Sequence, residues 1–131
     1  SFFKNRNKNL MPVNKNWLIY WKKRFKSNMI KNDAEDITIK KGKLISIGTR
    51  IGKNFPSNQF MGIFKISYKT FKKMGAIYLE NSDKKIDMTS FINLCIKNKV
   101  IEFKTKTYSK MWYEIDNLKD IKIAEKEIDK W

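Results

Sequence analysis

The sequence predicts an α/β domain with a mixed β-sheet and flanking helices. Runs rich in β-branched and aromatic residues alternate along the chain with segments whose apolar residues recur at helical spacing. Two short β-rich runs, 37–39 and 44–48, flank Lys41-Gly42 and indicate a hairpin, which favours a mixed sheet over a wholly parallel one. The 131 residues are enough for one domain with a packed core.

The domain organisation follows from the first polar stretch. Residues 1–15 are basic and contain Pro12, which predicts an N-terminal arm or connector, while residues 16–131 predict the folded part. That part opens with a helix capped by Asn16, and one face of the helix is aromatic. We expect this face to be buried in a core or an interface, and the alternative is a stacking platform for nucleic-acid bases. The face comprises Trp17, Tyr20, Trp21, Arg24 and Phe25.

The remaining elements follow in order. Residues 60–66 form a nearly continuous apolar run, which predicts a strand covered on both faces of a sheet. Residues 68–79 have apolar side chains at helical spacing, and Asp87 is predicted to cap a further helix. Residues 100–107 alternate between apolar and charged side chains, as a half-exposed strand does.

The C-terminal elements are a short strand and a helix. Residues 112–116 combine aromatic and apolar side chains and predict the strand. Asn117 is predicted to cap the last helix, with Asp120 at its third position in a capping-box arrangement.

Composition excludes several kinds of active site. The chain has no histidine and one cysteine, Cys95, so the usual zinc ligand sets, Ser-His and Cys-His catalytic pairs and an internal disulfide are excluded. Neither GxGxxG nor GxxxxGK[ST] occurs, so these residues contain no glycine-rich phosphate loop. No apolar run approaches the roughly 20 residues of a bilayer span, so we expect a cytoplasmic protein without a membrane partner.

The net charge of +16 indicates an alternative function, a basic nucleic-acid-binding module without catalytic activity. Arginine, which reads phosphates and bases bidentately, occurs only at Arg6, Arg24 and Arg50, and the lysines are spread over every segment. This even distribution is typical of lysines that are solvated over the whole surface. It therefore disfavours a nucleic-acid partner without excluding one. A further alternative is a chain that acts only by associating through an exposed apolar edge.

Four short segments, taken in order over residues 17–126, carry a resemblance. They are Trp17 through Arg24-Phe25 to Asp33-Ala34-Glu35; Leu44-Ile45-Ser46-Ile47-Gly48; Gln59-Phe60-Met61-Gly62-Ile63; and Ile86-Asp87-Met88-Thr89-Ser90 followed by Trp112-Tyr113-Glu114-Ile115-Asp116 and Asp120. Together they resemble the C-terminal half of the nucleotidyltransferases typified by bacterial choline-phosphate cytidylyltransferase and the nucleotidyltransferase domain associated with phosphoenolpyruvate phosphomutase. The chain departs from that pattern at Phe60, where the family has tyrosine, and at Asn58, where glycine is usual.

The resemblance implies a fold and an activity. The fold would be part of a Rossmann-like, nucleotide-diphospho-sugar-transferase-like domain, with its nucleotide-binding N-terminal half supplied by residues outside this sequence. The activity would be transfer of a nucleoside monophosphate, typically CMP from CTP, with release of pyrophosphate and a requirement for Mg²⁺. The acceptor would be a phosphorylated alcohol or a phosphonate, such as phosphocholine or 2-aminoethylphosphonate.

The resemblance also assigns catalytic roles. It implies that Asp116 is one of two aspartates that hold Mg²⁺, the other belonging to the N-terminal half. Glu114, two residues earlier on the same predicted strand face, is expected to orient the substrate or a metal-bound water. The structural alternatives are a carboxylate favoured by the helix dipole for Asp116 and a solvated strand residue for Glu114.

A cage for the acceptor's quaternary or primary ammonium group is the second expected site. Aromatic faces attract such cations and carboxylates neutralise them. The alternatives are simple packing for the aromatic rings and capping of a turn for the acidic residues. The expected cage residues are Trp112, Tyr113, Asp33 and Glu35.

Overall fold

The computed structural model describes residues 8–128, which form a five-stranded mixed sheet flanked by helices. The sheet order is β2-β3-β5-β1-β4, so strands distant in sequence are neighbours. The strands are β1 (Leu10–Asn14), β2 (Glu35–Lys40), β3 (Lys43–Arg50), β4 (Gln59–Phe60) and β5 (Lys104–Tyr108). The helices are α1 (Trp17–Arg24), α2 (Ile30–Asp33), α3 (Tyr68–Glu80), α4 (Met88–Lys97) and α5 (Leu118–Ile128).

Strand β1 lies inside the sheet, within the segment 1–15 that the sequence predicted to be an arm or connector. It pairs in parallel with β5 and antiparallel with β4, and the side chains of Met11 and Val13 are 0% exposed. Residues 1–7 of the predicted arm lie outside the described residues. The prediction failed over Leu10–Asn14 because it treated Pro12 as a breaker.

Pro12 fits this strand because its nitrogen needs no partner there. The backbone N–H of Leu10 donates to the carbonyl of Lys65 at 2.8 Å, and alternate residues of a strand direct their N–H groups to the same side. The nitrogen of Pro12 therefore faces the stretch between Lys65 and β4, where the chain makes no ladder with β1.

The apolar run 60–66 does not form the continuous covered strand that the sequence predicted. Strand β4 ends at Phe60, and Gly62, at φ +72, turns the chain away from the sheet. The chain returns at Lys65, which forms an isolated bridge with Leu10. The run is apolar because part of it packs against the core from outside the sheet.

The hairpin and the central helices confirm the local predictions. Strands β2 and β3 pair antiparallel around Lys41 and Gly42, which both have positive φ (48 and 72), as a tight hairpin turn requires. Helix α4 begins after Asp87, whose side chain accepts a hydrogen bond from the backbone N–H of Ser90. Helix α1 forms as predicted, although the Asn16 side chain makes no capping bond.

Strand β5 is shorter than predicted, and the predicted strand 112–116 does not form. Residues 101–103 precede β5, yet Ile101 and Phe103 are buried as the alternation indicates. Residues 112–116 adopt no regular secondary structure. Trp112 packs on Trp21 and the next residue, Tyr113, packs on Tyr20, whereas consecutive side chains of a strand point to opposite faces.

The buried apolar residues form two clusters. One joins the sheet to α4 and includes Met11, Val13, Ile92 and Phe103. The other is built on α1. Within residues 8–128, no helix has both the length and the apolar character needed to cross a membrane.

Candidate functional site

The candidate site is built around Arg24, the last residue of α1. The residue is 4% exposed, and its guanidinium forms a two-point ion pair with Asp120 of α5. Nε lies 3.0 Å from Asp120 Oδ1, and Nη2 lies 3.1 Å from Oδ2. Burial opposes the charge of Arg24, but hydrogen bonds to Asp120 and Asp116 raise its pKa above the usual range. The same pairing holds the pKa of Asp120 below its usual range.

Three of the acidic residues singled out in the sequence converge on this guanidinium. Glu114 Oε2 lies 3.3 Å from Nη1, and Asp33 Oδ2 lies 3.8 Å from the same atom. Asp116 Oδ2 is hydrogen-bonded to Nη2. Asp33 comes from α2, and Glu114 and Asp116 come from the irregular segment before α5. Arg24 therefore links its own helix, α1, to both of these segments.

The aromatic face of α1 packs around the guanidinium and is buried. The Arg24 guanidinium carbon lies 5.6 Å from the Tyr20 ring centroid and 5.3 Å from that of Trp21. The Tyr20 hydroxyl donates to the Glu114 carbonyl at 2.8 Å, and burial raises the pKa of Tyr20 to about 12. Because Tyr20 and Trp21 are buried, these rings offer no exposed platform for nucleic-acid bases.

A pocket of about 250 Å³ lies beside this cluster and brings three carboxylates together. They come from α2 (Asp33), the start of β2 (Glu35) and the irregular segment (Glu114), and Trp21 is a further wall. The remaining lining residues are Gln59, Phe60, Gly62 and Thr89. The pocket is thus acidic and partly aromatic, in a chain whose net charge is +16.

Each pocket carboxylate is held by a different kind of donor. The indole Nε1 of Trp21 donates to Asp33 Oδ2 at 2.8 Å. Arg24 holds Glu114, and the hydroxyl of Thr89 donates to Glu35 Oε1 at 2.7 Å, with Asp87 Oδ1 at 2.9 Å as the alternative acceptor of the same proton. Burial raises the pKa of Glu114, the neighbouring charge of Asp116 adds to that rise, and Arg24 opposes it.

Two strands that lie at opposite edges of the sheet meet at the pocket. The side-chain amide of Gln59 in β4, oriented so that both polar atoms are satisfied, donates to the Glu35 carbonyl at 2.9 Å and accepts from the Glu35 N–H at 3.1 Å. Gln59 therefore acts as a substitute for a strand partner and joins β4 to β2. This contact fixes the backbone from which the Glu35 side chain projects.

The predicted aromatic half of the cage lies elsewhere. Trp112 and Tyr113 do not line this pocket; their rings pack 5.2 Å from Trp21 and 4.7 Å from Tyr20, centroid to centroid. The aromatic walls of the pocket are Trp21 and Phe60 instead. A role of Trp112 and Tyr113 in ligand binding stays a prediction, and the structure gives them a packing role behind Trp21 and Tyr20.

Asp116 occupies a different position from the predicted strand end. It lies in the irregular segment immediately before α5, and 57% of its side chain is exposed. Residues 8–128 contain no group of three or more His, Cys, Asp or Glu side chains placed to hold a metal. Asp116 Oδ2 is already paired with the Arg24 guanidinium, so its Oδ1 is the atom that would bind Mg²⁺, which takes one or two protein carboxylates and completes its shell with phosphate oxygens and water.

Several residues of the site were missed in the sequence. Arg24 and Trp21 are predicted only as members of the aromatic face of the first helix, and Thr89 appears only within the segment 86–90 of the resemblance. Gln59 and Thr89 lie inside the segments that carry the family resemblance, so the resemblance is a sequence signal for these two positions. No local pattern indicates that Arg24 would meet carboxylates about ninety residues away.

No family model matches this chain, and no curated protein matches it.

Proposed function

We propose that this chain is the acceptor-binding part of a Mg²⁺-dependent nucleotidyltransferase that takes an acceptor with an ammonium group. The enzyme transfers a nucleoside monophosphate, CMP from CTP, to a phosphorylated alcohol or a phosphonate and releases pyrophosphate. The observation that carries the ammonium-binding part of the proposal is the convergence of Asp33, Glu35 and Glu114, from three separate segments, on one pocket beside Trp21. The transfer of CMP from CTP is what the resemblance of the four sequence segments implies.

The electrostatics of the pocket support a cationic ligand. Lysine and arginine outnumber acidic residues in the chain by 29 to 13, yet three carboxylates line this one cavity. Arg24 is already paired with Asp120 through two hydrogen bonds, so its charge does not neutralise the pocket fully. An ammonium group between these carboxylates gains ion pairing with them.

The proposed chemistry needs positioning and charge neutralisation more than proton transfer. An oxygen of the acceptor's phosphate or phosphonate forms a bond to the α-phosphorus of CTP, and the bond to pyrophosphate breaks. The pocket carboxylates hold the ammonium end and so direct the anionic end of the acceptor. Asp116 would hold Mg²⁺, which when bound neutralises charge on the phosphates.

The proposal includes a larger assembly. The nucleotide site belongs to an N-terminal half of the same Rossmann-like domain, which would be covalently continuous with this chain or supplied as a partner. We propose the cytoplasm as the compartment. The mixed sheet and its flanking helices are compatible with the C-terminal half of such a domain.

The test is pyrophosphate release by the protein expressed together with its upstream coding region. We expect CTP turnover with phosphocholine or 2-aminoethylphosphonate, and a much lower kcat/KM with glycerol phosphate, which lacks the ammonium group. Asp116→Asn should reduce kcat by orders of magnitude, whereas Glu125→Gln, an exposed change on α5, should not. Absence of turnover with every ammonium acceptor, or equal use of glycerol phosphate, would contradict the proposal.

A further inference from the structure

Arg24 makes more directed contacts than a stabilising ion pair requires. Its side chain is 1% exposed, and its nitrogens engage carboxylates of α5, α2 and the irregular segment 109–117. Two of those carboxylates, on Glu114 and Asp116, lie on that irregular segment, where no backbone ladder fixes their direction. Arg24 itself is not a wall of the pocket.

We infer that Arg24 is a positioning residue that orients Glu114 for the ammonium group of the acceptor. The inference rests on the proposed function, since it assumes a cationic ligand in the pocket. Arg24 acts on the ligand indirectly, through Glu114. Its Nη1 donates a hydrogen bond to Glu114 Oε2 at 3.3 Å, and Glu114 lines the cavity. Tyr20 supports the same residue from the backbone side, because its hydroxyl donates to the Glu114 carbonyl.

The geometry of the guanidinium explains why arginine is needed. Nε and Nη2 are both engaged by Asp120, which fixes the plane of the group. With the plane fixed, Nη1 can point only in one direction, and Glu114 lies there. A lysine would keep one positive charge near Asp120, but a single ammonium on a flexible stem cannot hold both carboxylates at once.

Arg24→Lys keeps the positive charge of residue 24 but removes the planar fork of the guanidinium, so it tests the two contributions separately. The full 131-residue chain is titrated with choline chloride against sodium chloride at equal ionic strength, and tryptophan fluorescence reports binding because Trp21 lines the pocket. We expect the wild-type chain to bind choline and Arg24→Lys to lose affinity roughly tenfold or more, by analogy with the loss seen when a residue that orients a metal ligand is removed. Arg50→Lys, an exposed control, should bind as the wild type does.

Coupling to Glu114 distinguishes positioning from a general structural role. Glu114→Gln alone should weaken choline binding at least roughly tenfold, and adding Arg24→Lys to it should weaken binding no further. Additive losses would mean that Arg24 acts through the fold as a whole and would overturn the inference. If Arg24→Lys does not fold, Glu114→Gln decides, because it leaves the Arg24–Asp120 pair intact; unchanged choline affinity in that variant overturns the inference.

The two proposals fail in different ways. Absence of CTP turnover with every ammonium acceptor, or a wild-type chain that shows no saturable choline binding, overturns the proposed function. A wild-type chain that binds choline while Arg24→Lys binds it equally well overturns only the role of Arg24.

Discussion

Gly48 lies so close to Thr89 that no side chain fits between them. A Cβ atom on Gly48 would stand 2.9 Å from the backbone carbonyl carbon and from Oγ1 of Thr89. Gly48 also has φ +82, a conformation that other residues adopt only with strain. Since the Thr89 hydroxyl holds Glu35, a glycine in β3 helps to place a carboxylate of the pocket.

Gly48→Ala should therefore destabilise the protein. We expect a loss of about 2 kcal/mol or more in the free energy of unfolding, from the positive φ and the close contact together. Urea denaturation measures it. Gly75→Ala is the matched control: its Cβ meets nothing within 4 Å inside α3, so it should stabilise by about 0.5–1 kcal/mol. Equal stabilities of the two variants would contradict the close contact at Gly48.

Thr89→Val should weaken choline binding without unfolding the chain. The change keeps the volume of the side chain but removes the hydroxyl that donates to Glu35 Oε1. We expect an affinity roughly three- to tenfold lower, measured by tryptophan fluorescence, because the carboxylate loses its orienting donor. Thr89→Ser keeps the hydroxyl and should bind almost as the wild type does. If Thr89→Val bound choline normally, the hydroxyl would have no part in ligand binding.

Gln59→Met should open the contact between the two edge strands. The change removes both hydrogen bonds to the Glu35 backbone and leaves that N–H and carbonyl without their partner. We expect a loss of about 1–3 kcal/mol in stability. Hydrogen exchange of the Glu35 amide should become faster, while the amide of Lys40 at the far end of β2 serves as the unaffected control. Unchanged exchange at Glu35 would show that Gln59 is not its partner.

Asp120→Asn should cost about 1.5–3 kcal/mol of stability at pH 7, because the buried guanidinium loses its two-point carboxylate partner while Asp33, Glu114 and Asp116 still compensate its charge. Denaturant unfolding measures the loss. Glu125→Gln, an exposed change on the same helix, should alter stability by less than about 0.5 kcal/mol. A loss no larger than that of the control would show that the pair contributes little.

The same pair predicts an acid dependence of stability. Arg24 holds the pKa of folded Asp120 below its ordinary value of 3.8, so the unfolded chain takes up this proton first as pH falls. The contribution of Asp120 is therefore complete well above that ordinary value, and it is lost as pH falls through the lower pKa of the folded state. Unfolding measured from pH 7 to pH 2 should show a steeper acid decline for the wild type than for Asp120→Asn. Parallel curves would contradict the lowered pKa.

Local signals predicted the elements whose stabilising contacts are near in sequence. The hairpin around Lys41 and Gly42, helix α3 and the cap of α4 at Asp87 depend on turn chemistry, helical spacing and capping within a few residues. Strand β1 was missed because its burial depends on β5, about ninety residues later. The predicted strand at 112–116 failed because Trp112 and Tyr113 both pack towards α1.

The sequence by itself determined a mixed α/β domain, the exclusion of histidine-based chemistry, and a set of acidic residues that includes Asp33, Glu35 and Glu114. Only the tertiary structure decided that these three share one pocket, and that Arg24, Trp21 and Thr89 each hold one of them. The physical reason is range: backbone preferences act over a few residues, whereas an ion pair or a pocket depends on which distant segments the packed core brings together.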